Sequence, residues 1–441
     1  MSMVQRPILT ILCMAFVLVV LGMSCATAPL PAGSSLTGKV AGADFDVGTY
    51  LETHGFRAFE GSVPVVHYSA ASWKASLLKA IDAARHSIRI AMFVANRNEF
   101  DYEIYDALAR KAAEGVDVRY LFDGTSYQRI FDNPLWNDQI VTPPEAFRGT
   151  RVLWAEFNPL RSERLFVLPY WLFRDHRKIV IIDEELIYTG GYNLNIYSFA
   201  PIDRNGNVDA MVEIRSRQAG AWFSETFSKI WNEWSADPIR PAVRPDADIV
   251  SSEVPENGGI RFWAAEQMVA RGQRVIEPLI KGLFDAAEHE IWMVQAYSIP
   301  SEAMIDWVRR TAARGVRVHL VLSEDHSSSM LDKGARYAVL PLLQAGVKIY
   351  IYKSPGNALL HYKLFFVDSR LAALGSTNFN YRSLKLSNEI AVVFDDPATA
   401  GIVRENLVEL LQYCREVSIE EARTWRSLDY RLNYLLAQIG G

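Results

Sequence analysis

His176, Lys178, Asp183 and Asn193 recur along the chain as His361, Lys363, Asp368 and Asn378, with identical intervals. Lys follows His by two residues, Asp follows Lys by five, and a glycine turn ending in Asn arrives ten residues after the Asp. One His-x-Lys carries no information, but two copies with a common spacing do. A neutral imidazole is a nucleophile or base, and its protonated form is an acid. Ammonium and amide N–H groups hold anionic oxygen. Two imidazoles, two ammonium groups and two amides brought to one point would make a pocket for a phosphodiester.

The flanking residues say what must position these groups. Lys178-Ile-Val-Ile-Ile and Lys363-Leu-Phe-Phe-Val are dense in β-branched and aromatic residues and read as buried strands. Side chains alternate along a strand, so His176 and Lys178 share a face, as do His361 and Lys363. Asp183 and Asp368 have the opposite parity and are expected to brace the strand ends rather than join the chemistry. The turns that contain Gly191 and Ser376 let backbone and amide approach an anion closely. Repetition extends further. Ala84-Arg-His-Ser-Ile-Arg-Ile pairs with Ala287-Glu-His-Glu-Ile-Trp-Met, and Glu114-Gly-Val-Asp-Val with Arg314-Gly-Val-Arg-Val. Gly149-Thr-Arg-Val-Leu-Trp pairs with Gly346-Val-Lys-Ile-Tyr-Ile. Alanine-rich helical stretches, Tyr102 to Ala113 and Glu302 to Ala313, precede the second of these matches. Strands alternating with helices at this rhythm argue an α/β architecture with mixed, mostly buried sheets.

The spacing resembles the signature of the phospholipase D superfamily, His-x-Lys-x4-Asp-x6-Gly-Ser-x-Asn in two copies. The second copy matches fully, and the first has Gly191 where Ser is usual. A glycine there, together with Ala312-Ala-Arg-Gly-Val-Arg-Val, Leu342-Leu-Gln-Ala-Gly-Val-Lys-Ile and Tyr381-Arg-Ser-Leu-Lys-Leu-Ser-Asn-Glu389, is similar to the cardiolipin synthase branch. The resemblance runs from about residue 65 to 420. It implies two repeated domains, each a mixed sheet flanked by helices, related by a pseudo-two-fold with the site at their interface. It implies His176 as nucleophile, His361 as acid, and Lys178, Lys363, Asn193 and Asn378 on the phosphate oxygens. Glu389 and Asp209 stand where the family places carboxylates that orient the imidazoles. With both ammonium groups present no metal or other cofactor is needed, and no His/Cys/Asp cluster has metal-ligand spacing.

Composition and the chain's first residues bound the setting. A chain of 441 residues, half of them apolar, fits two domains. The formal net charge is −5 and no basic run appears, which weighs against a nucleic-acid partner. Residues 1–24 read as a signal peptide, with an apolar stretch from Ile8 to Met23. Cys25 is then the lipidated first residue of a tether and N-terminal segment, 25–64. This implies an exported, membrane-anchored bacterial lipoprotein facing the periplasm or the cell surface. The first domain is expected over 65–235, a Pro- and Gly-rich linker over 236–259, and the second domain with a C-terminal helix over 260–441. Cys414 reads as a buried core thiol on a helix.

From Gly149 to His176 is 27 residues, but from Gly346 to His361 only 15. The extra length, mainly Pro159 to Trp171, contains the apolar run Leu165-Phe-Val-Leu-Pro-Tyr-Trp-Leu-Phe. It reads either as a buried plug or as a lip that meets acyl chains. His54, His67, His86, His289 and His319 read as structural or exposed, and His326 as a candidate for the cleft wall. The resemblance implies a phosphatidyltransferase that exchanges a phosphodiester of phosphatidylglycerol through a phosphohistidine, with phosphatidylglycerol or phosphatidylethanolamine as partner at a membrane surface. Hydrolysis to phosphatidic acid is the alternative, ahead of a metal-independent nuclease.

Overall fold

The apolar runs after each His-x-Lys form a central strand in each of two sheets, and their alternating side chains serve two cores at once. The structure, a computed structural model, describes residues 45–127, 141–159, 172–240, 259–324, 329–354, 356 and 358–440. Strands of the first half are β1 (Arg57–Gly61), β2 (Val65–His67), β3 (Ser87–Met92), β4 (Asp117–Asp123), β5 (Leu153–Phe157), β6 (Arg174–Asp175), β7 (Ile179–Ile182), β8 (Leu186–Gly190) and β9 (Met211–Arg215). Those of the second are β10 (Ile260–Gln267), β11 (Glu290–Gln295), β12 (Arg317–Ser323), β13 (Val347–Tyr352), β14 (Lys363–Val367), β15 (Leu371–Gly375), β16 (Ser387–Asp395) and β17 (Cys414–Glu416).

They make two mixed sheets, ordered β2-β9-β8-β7-β3-β4-β5 and β1-β10-β16-β15-β14-β11-β12-β13-β17, with β6 joined to β16. The run β9-β8-β7-β3-β4-β5 repeats as β16-β15-β14-β11-β12-β13. The registers correspond: Ala91 faces Ile179 as Val294 faces Leu364, and Gly190 faces Met211 as Gly375 faces Ala391. Ile179 and Ile181 join Leu364 and Phe366 in one core shared by both sheets. Val180 and Ile182 turn to the first half's own helices, and Phe365 and Val367 to the second's. Burial on both faces is what near-continuous apolar strands require. The helices Arg217–Trp234 and Pro397–Leu411 bury Phe223, Phe227, Val403 and Leu407 in the shared core.

Three details depart from the sequence expectations or went unseen there. Residues ahead of the first repeat serve the second sheet: β1 pairs antiparallel with β10, and the helix Val47–Thr53 packs beside it, with Glu52 accepting from Trp263 Nε1 at 3.0 Å. Cys414 opens strand β17 and is half-buried, rather than lying in a helix core, because the helix Pro397–Leu411 ends just before it. The matched glycines Gly149 and Gly346 are offset. Leu153 pairs with Arg119 and Lys348 with the equivalent His319, so the register of β5 runs two residues later after its glycine. The C-terminal tail forms two helices, Ile419–Thr424 and Leu428–Gly440. The leader and Cys25, the apolar insert from residue 160 to 171, most of the linker and His326 lie outside the described residues. No helix among the described residues is long and apolar enough to cross a membrane.

Candidate active site

Each motif histidine is set by the opposite half. β6 pairs in parallel with β16, Asn388 facing Asp175, and His176 N donates to Asn388 O at 3.0 Å. Correspondingly, Leu360 bridges Val208, and His361 N donates to Val208 O at 2.7 Å. The residue after each bridging position is the acid. Glu389 Oε2 lies 3.1 Å from His176 Nδ1, and Asp209 Oδ2 lies 2.5 Å from His361 Nδ1. The exchange is reciprocal, as a two-fold relation demands. Both carboxylates are fully buried while each imidazole is 13% exposed. At His176, with Nδ1 engaged by a carboxylate, Nε2 is the nitrogen left to meet a ligand; at His361, Lys363 Nζ lies 2.7 Å from Nδ1 and 3.1 Å from Nε2.

The two lysines are buried beside these rings. Lys178 Nζ donates to His176 O at 2.6 Å and sits 4.9 Å from the Phe93 ring centre, whose ring meets His176 edge-on at 4.8 Å. Lys363 Nζ donates to His361 O and lies 3.6 Å from Asp209 Oδ2. Tyr297 approaches the His361 ring edge-on at 6.4 Å. Burial, then Lys178, Lys363 and His361, hold His176 well below its ordinary value. Burial and Lys363 push His361 down to about 4, against the pull of Asp209. Burial and Lys363 bring Lys178 to about 7, and burial brings Lys363 to about 8. Burial lifts Glu389 to about 7 in spite of its bond from Ser376 and the nearby Lys178. His176 thus feels the second half's lysine and histidine, which makes the two motifs one electrostatic site. Burial is the largest cause of each shift, and the negative charge of a bound phosphodiester would favour the protonated forms of these groups.

The glycine turns complete the lining. Asn193 Oδ1 accepts from Val94 N at 3.1 Å, which turns the acceptor end of the amide into the protein. Asn193 N and Asn378 N donate to Ser198 Oγ and Ser383 Oγ at 3.0 and 3.1 Å, so both turns are tied to the short helices that follow. Ser376 Oγ donates to Glu389, whereas a Cβ at Gly191 would lie 2.0 Å from Asp209 Oδ1. Asp183 and Asp368 stand apart from this chemistry. Each accepts three backbone N–H groups, from Arg85, His86 and Ser87 and from Glu288, His289 and Glu290, at 2.7–2.8 Å. Burial opposes ionisation of Asp183, yet those N–H groups hold its carboxyl below the usual range. The side chains of His54, His86 and His289 are exposed, His67 Nε2 meets Glu213 at 3.0 Å, and His319 stacks on Trp292. Among the described residues no group of three or more His, Cys, Asp or Glu is placed to hold a metal ion.

Sequence reasoning missed Phe93 and Tyr297, Arg382, whose charge also helps to lower His176, and the buried cluster behind His176. In that cluster Arg177 grips Asp175 through two bonds of 2.7 Å and Glu266 through a third, and Arg174 lies 3.3 Å from Asp123. Phe93 and Tyr297 just follow β3 and β11, and strand ends are where α/β folds place ligands. That position was the available signal.

Two matched sheets whose His-x-Lys units trade carboxylates define a two-half protein of phospholipase D type. The family model described as cardiolipin synthase, PLD-like domain, matches residues 77–231 and 280–411, more than half of the chain. The protein belongs to that family. Cardiolipin synthase 1 of Bacillus anthracis is 27% identical over 355 residues, covering 77% of this chain and 65% of that protein. Cardiolipin synthase A of Serratia proteamaculans (strain 568) is 24% identical over 372 residues, 82% of this chain and 73% of its own length. The chain therefore spans just under two thirds of the Bacillus protein. Among solved structures, phosphatidylserine synthase of Haemophilus influenzae Rd KW20 superposes with a TM-score of 0.66 at 15% identity, over 89% of this chain and 98% of that one. Polyphosphate kinase from Porphyromonas gingivalis gives 0.50 at 13%, over 85% and 52%. At such identities these structures speak to the fold alone.

Proposed function

We propose that the protein is a phosphatidyltransferase that makes cardiolipin from two molecules of phosphatidylglycerol. The observation that carries this is the pair of imidazoles, each held at Nδ1 by a buried carboxylate from the opposite half. His176 Nε2 attacks phosphorus, the P–O bond to the headgroup glycerol breaks, and protonated His361 gives its proton to the departing alkoxide. A phosphatidyl-histidine remains. The headgroup hydroxyl of a second phosphatidylglycerol then loses its proton to His361 and attacks phosphorus, freeing His176; phosphatidylethanolamine, whose headgroup carries no hydroxyl, partners as the phosphatidyl donor, with ethanolamine leaving in place of glycerol. With phosphatidylglycerol as partner the products are cardiolipin and glycerol. Lys178, Lys363, Asn193 and Asn378 hold the non-bridging oxygens, where charge is concentrated throughout.

The cardiolipin synthases among the relatives support transfer. The residual exposure of both rings favours a second reading, in which water takes the alcohol's place and phosphatidic acid is released. Incubation with phosphatidylglycerol vesicles and separation of the lipids tests both: cardiolipin with glycerol supports transfer, and phosphatidic acid alone supports hydrolysis. Nicking of plasmid without lipid turnover would instead favour a nuclease. The proposal places the chain at a membrane through lipid on Cys25, and mass spectrometry of the mature N-terminus tests that.

A further inference from the structure

The helix Leu428–Gly440 shows one face to the protein and another to solvent. On its inner side Tyr434 OH donates to Pro300 O at 2.7 Å, Gln438 Nε2 to Ile299 O at 3.0 Å, and Ala437 is fully buried beside Gly334. These contacts fasten it to functional surroundings. Ile299 N donates to Phe379 O, next to Asn378, and Tyr297 on the same loop faces His361. The outer side carries Leu428, Leu432 and Leu435, which are 69%, 51% and 42% exposed. Their spacing of four and three residues stacks them in one stripe along the helix. Arg431 borders that stripe and is exposed, Arg426 just ahead of it is exposed but donates to Tyr337 O at 2.9 Å with its guanidinium over that ring, and the nearby Asp429 is paired with Lys333 at 2.7 Å. A fixed leucine stripe edged by net positive charge is complementary to an anionic phospholipid surface, where apolar side chains enter the acyl boundary and arginines meet phosphates.

We propose that the leucine face of this helix rests on the phospholipid surface from which lipid enters the site. The inference rests on the reading that the substrate is a membrane phospholipid. Because the helix is anchored to the Ile299–Pro300 loop and so to the Asn378 turn, seating it would bring the second half's rim to the headgroup layer. The exposed leucines then have a physical task that folding alone does not give them.

The test uses the full chain and the variant L428S/L432S/L435S, which deletes the apolar stripe without adding charge. Turnover is measured on phosphatidylglycerol vesicles and on short-chain phosphatidylglycerol dispersed as monomers. The expected result is a fall of about tenfold or more on vesicles, with monomer turnover within about twofold and unchanged thermal unfolding. Equal turnover on vesicles overturns the proposal. So does an equal loss on both substrates, which would assign the helix to shaping the site. A bimane fluorophore on L432C gives a local readout that needs no catalysis, compared with the parent chain treated alike. Its emission should shift to the blue and be quenched by brominated phosphatidylglycerol vesicles. No change on adding vesicles overturns docking, and a shift that grows with protein concentration alone assigns the face to a second copy. A wild-type protein inactive on both lipids defeats the phosphatidyltransferase reading, and the fluorophore then judges docking by itself.

Discussion

The two halves solve one packing problem with different residue pairs. In the second half Ser376 Oγ donates to Glu389; at the equivalent place in the first, Gly191 leaves its side-chain space to the carboxylate of Asp209. Asp is one methylene shorter than Glu, and its carboxylate occupies room that a serine would need. The outcome differs at the rings: 2.5 Å from Asp209 to His361 against 3.1 Å from Glu389 to His176. The residues between His and Lys differ too. Arg177 lies in a buried network with Asp175 and Glu266, whereas Tyr362 donates to Asn406 at 3.1 Å and stacks with Tyr68. A shared backbone frame therefore holds two unlike electrostatic environments. Asp209 pulls His361 upward against the burial and Lys363 that bring it down to about 4, while Glu389, raised to about 7, gives less support to a charged His176. That asymmetry suits a neutral nucleophile at His176 and an acid–base group at His361.

The sharpest break in the comparison comes from the imidazoles. We expect H176A to lower turnover by at least about 10⁴-fold with every leaving group. H361A should cost about 10²- to 10⁴-fold with a lipid headgroup, but far less with a p-nitrophenyl phosphodiester, whose leaving group needs no proton. The reverse pattern in steady-state rates would exchange the two roles. The buried networks come next. R177A leaves Asp175 and Glu266 without their cation and should destabilise the protein by about 3–5 kcal/mol in urea unfolding. Y362F loses one hydrogen bond and should cost only about 1 kcal/mol. Similar losses in both would erase the contrast between the two environments.

The carboxylate brackets can be converted one into the other. G191S alone should reduce activity by about 10- to 100-fold, because the serine displaces Asp209 from His361. The double variant G191S/D209E recreates the second half's pair and should recover much of that loss. Strictly additive effects in the double-mutant cycle would show that the two positions do not compensate. The smallest effect is on anion affinity. The folded site lowers Lys178 to about 7 and Lys363 to about 8, so above these values the empty site has shed protons that a bound anion must restore. Vanadate should bind with net proton uptake and weaken by about tenfold per proton and pH unit above that range. Calorimetry in buffers of different ionisation enthalpy measures it.

Much of this was legible because it is local. The His-x-Lys spacing, the apolar runs and the Asn-ended turns lie within short windows whose geometry follows from strand alternation. Asp209 and Glu389 were readable as positions, but their exchange between halves was not, since Glu389 is 213 residues from His176. The contribution of residues 47–61 to the second sheet is likewise a long-range pairing that no local pattern announces. Cys414 was misread because β17 is only three residues long and follows a helix closely. Gly149 and Gly346 align as letters, but strand pairing, not the turn glycine, sets where β5 begins.

The placement of β1 bears on how the chain can be taken apart. Because Arg57–Gly61 is zipped to β10 while the residues that follow build the other sheet, scission between residues 241 and 258 would leave the N-terminal fragment stitched into its companion by a full strand ladder. Such a nicked protein should stay associated and retain its pairs of imidazole and acid. Either fragment alone would lack a partner for its exposed ladder and hold a histidine with no carboxylate behind it.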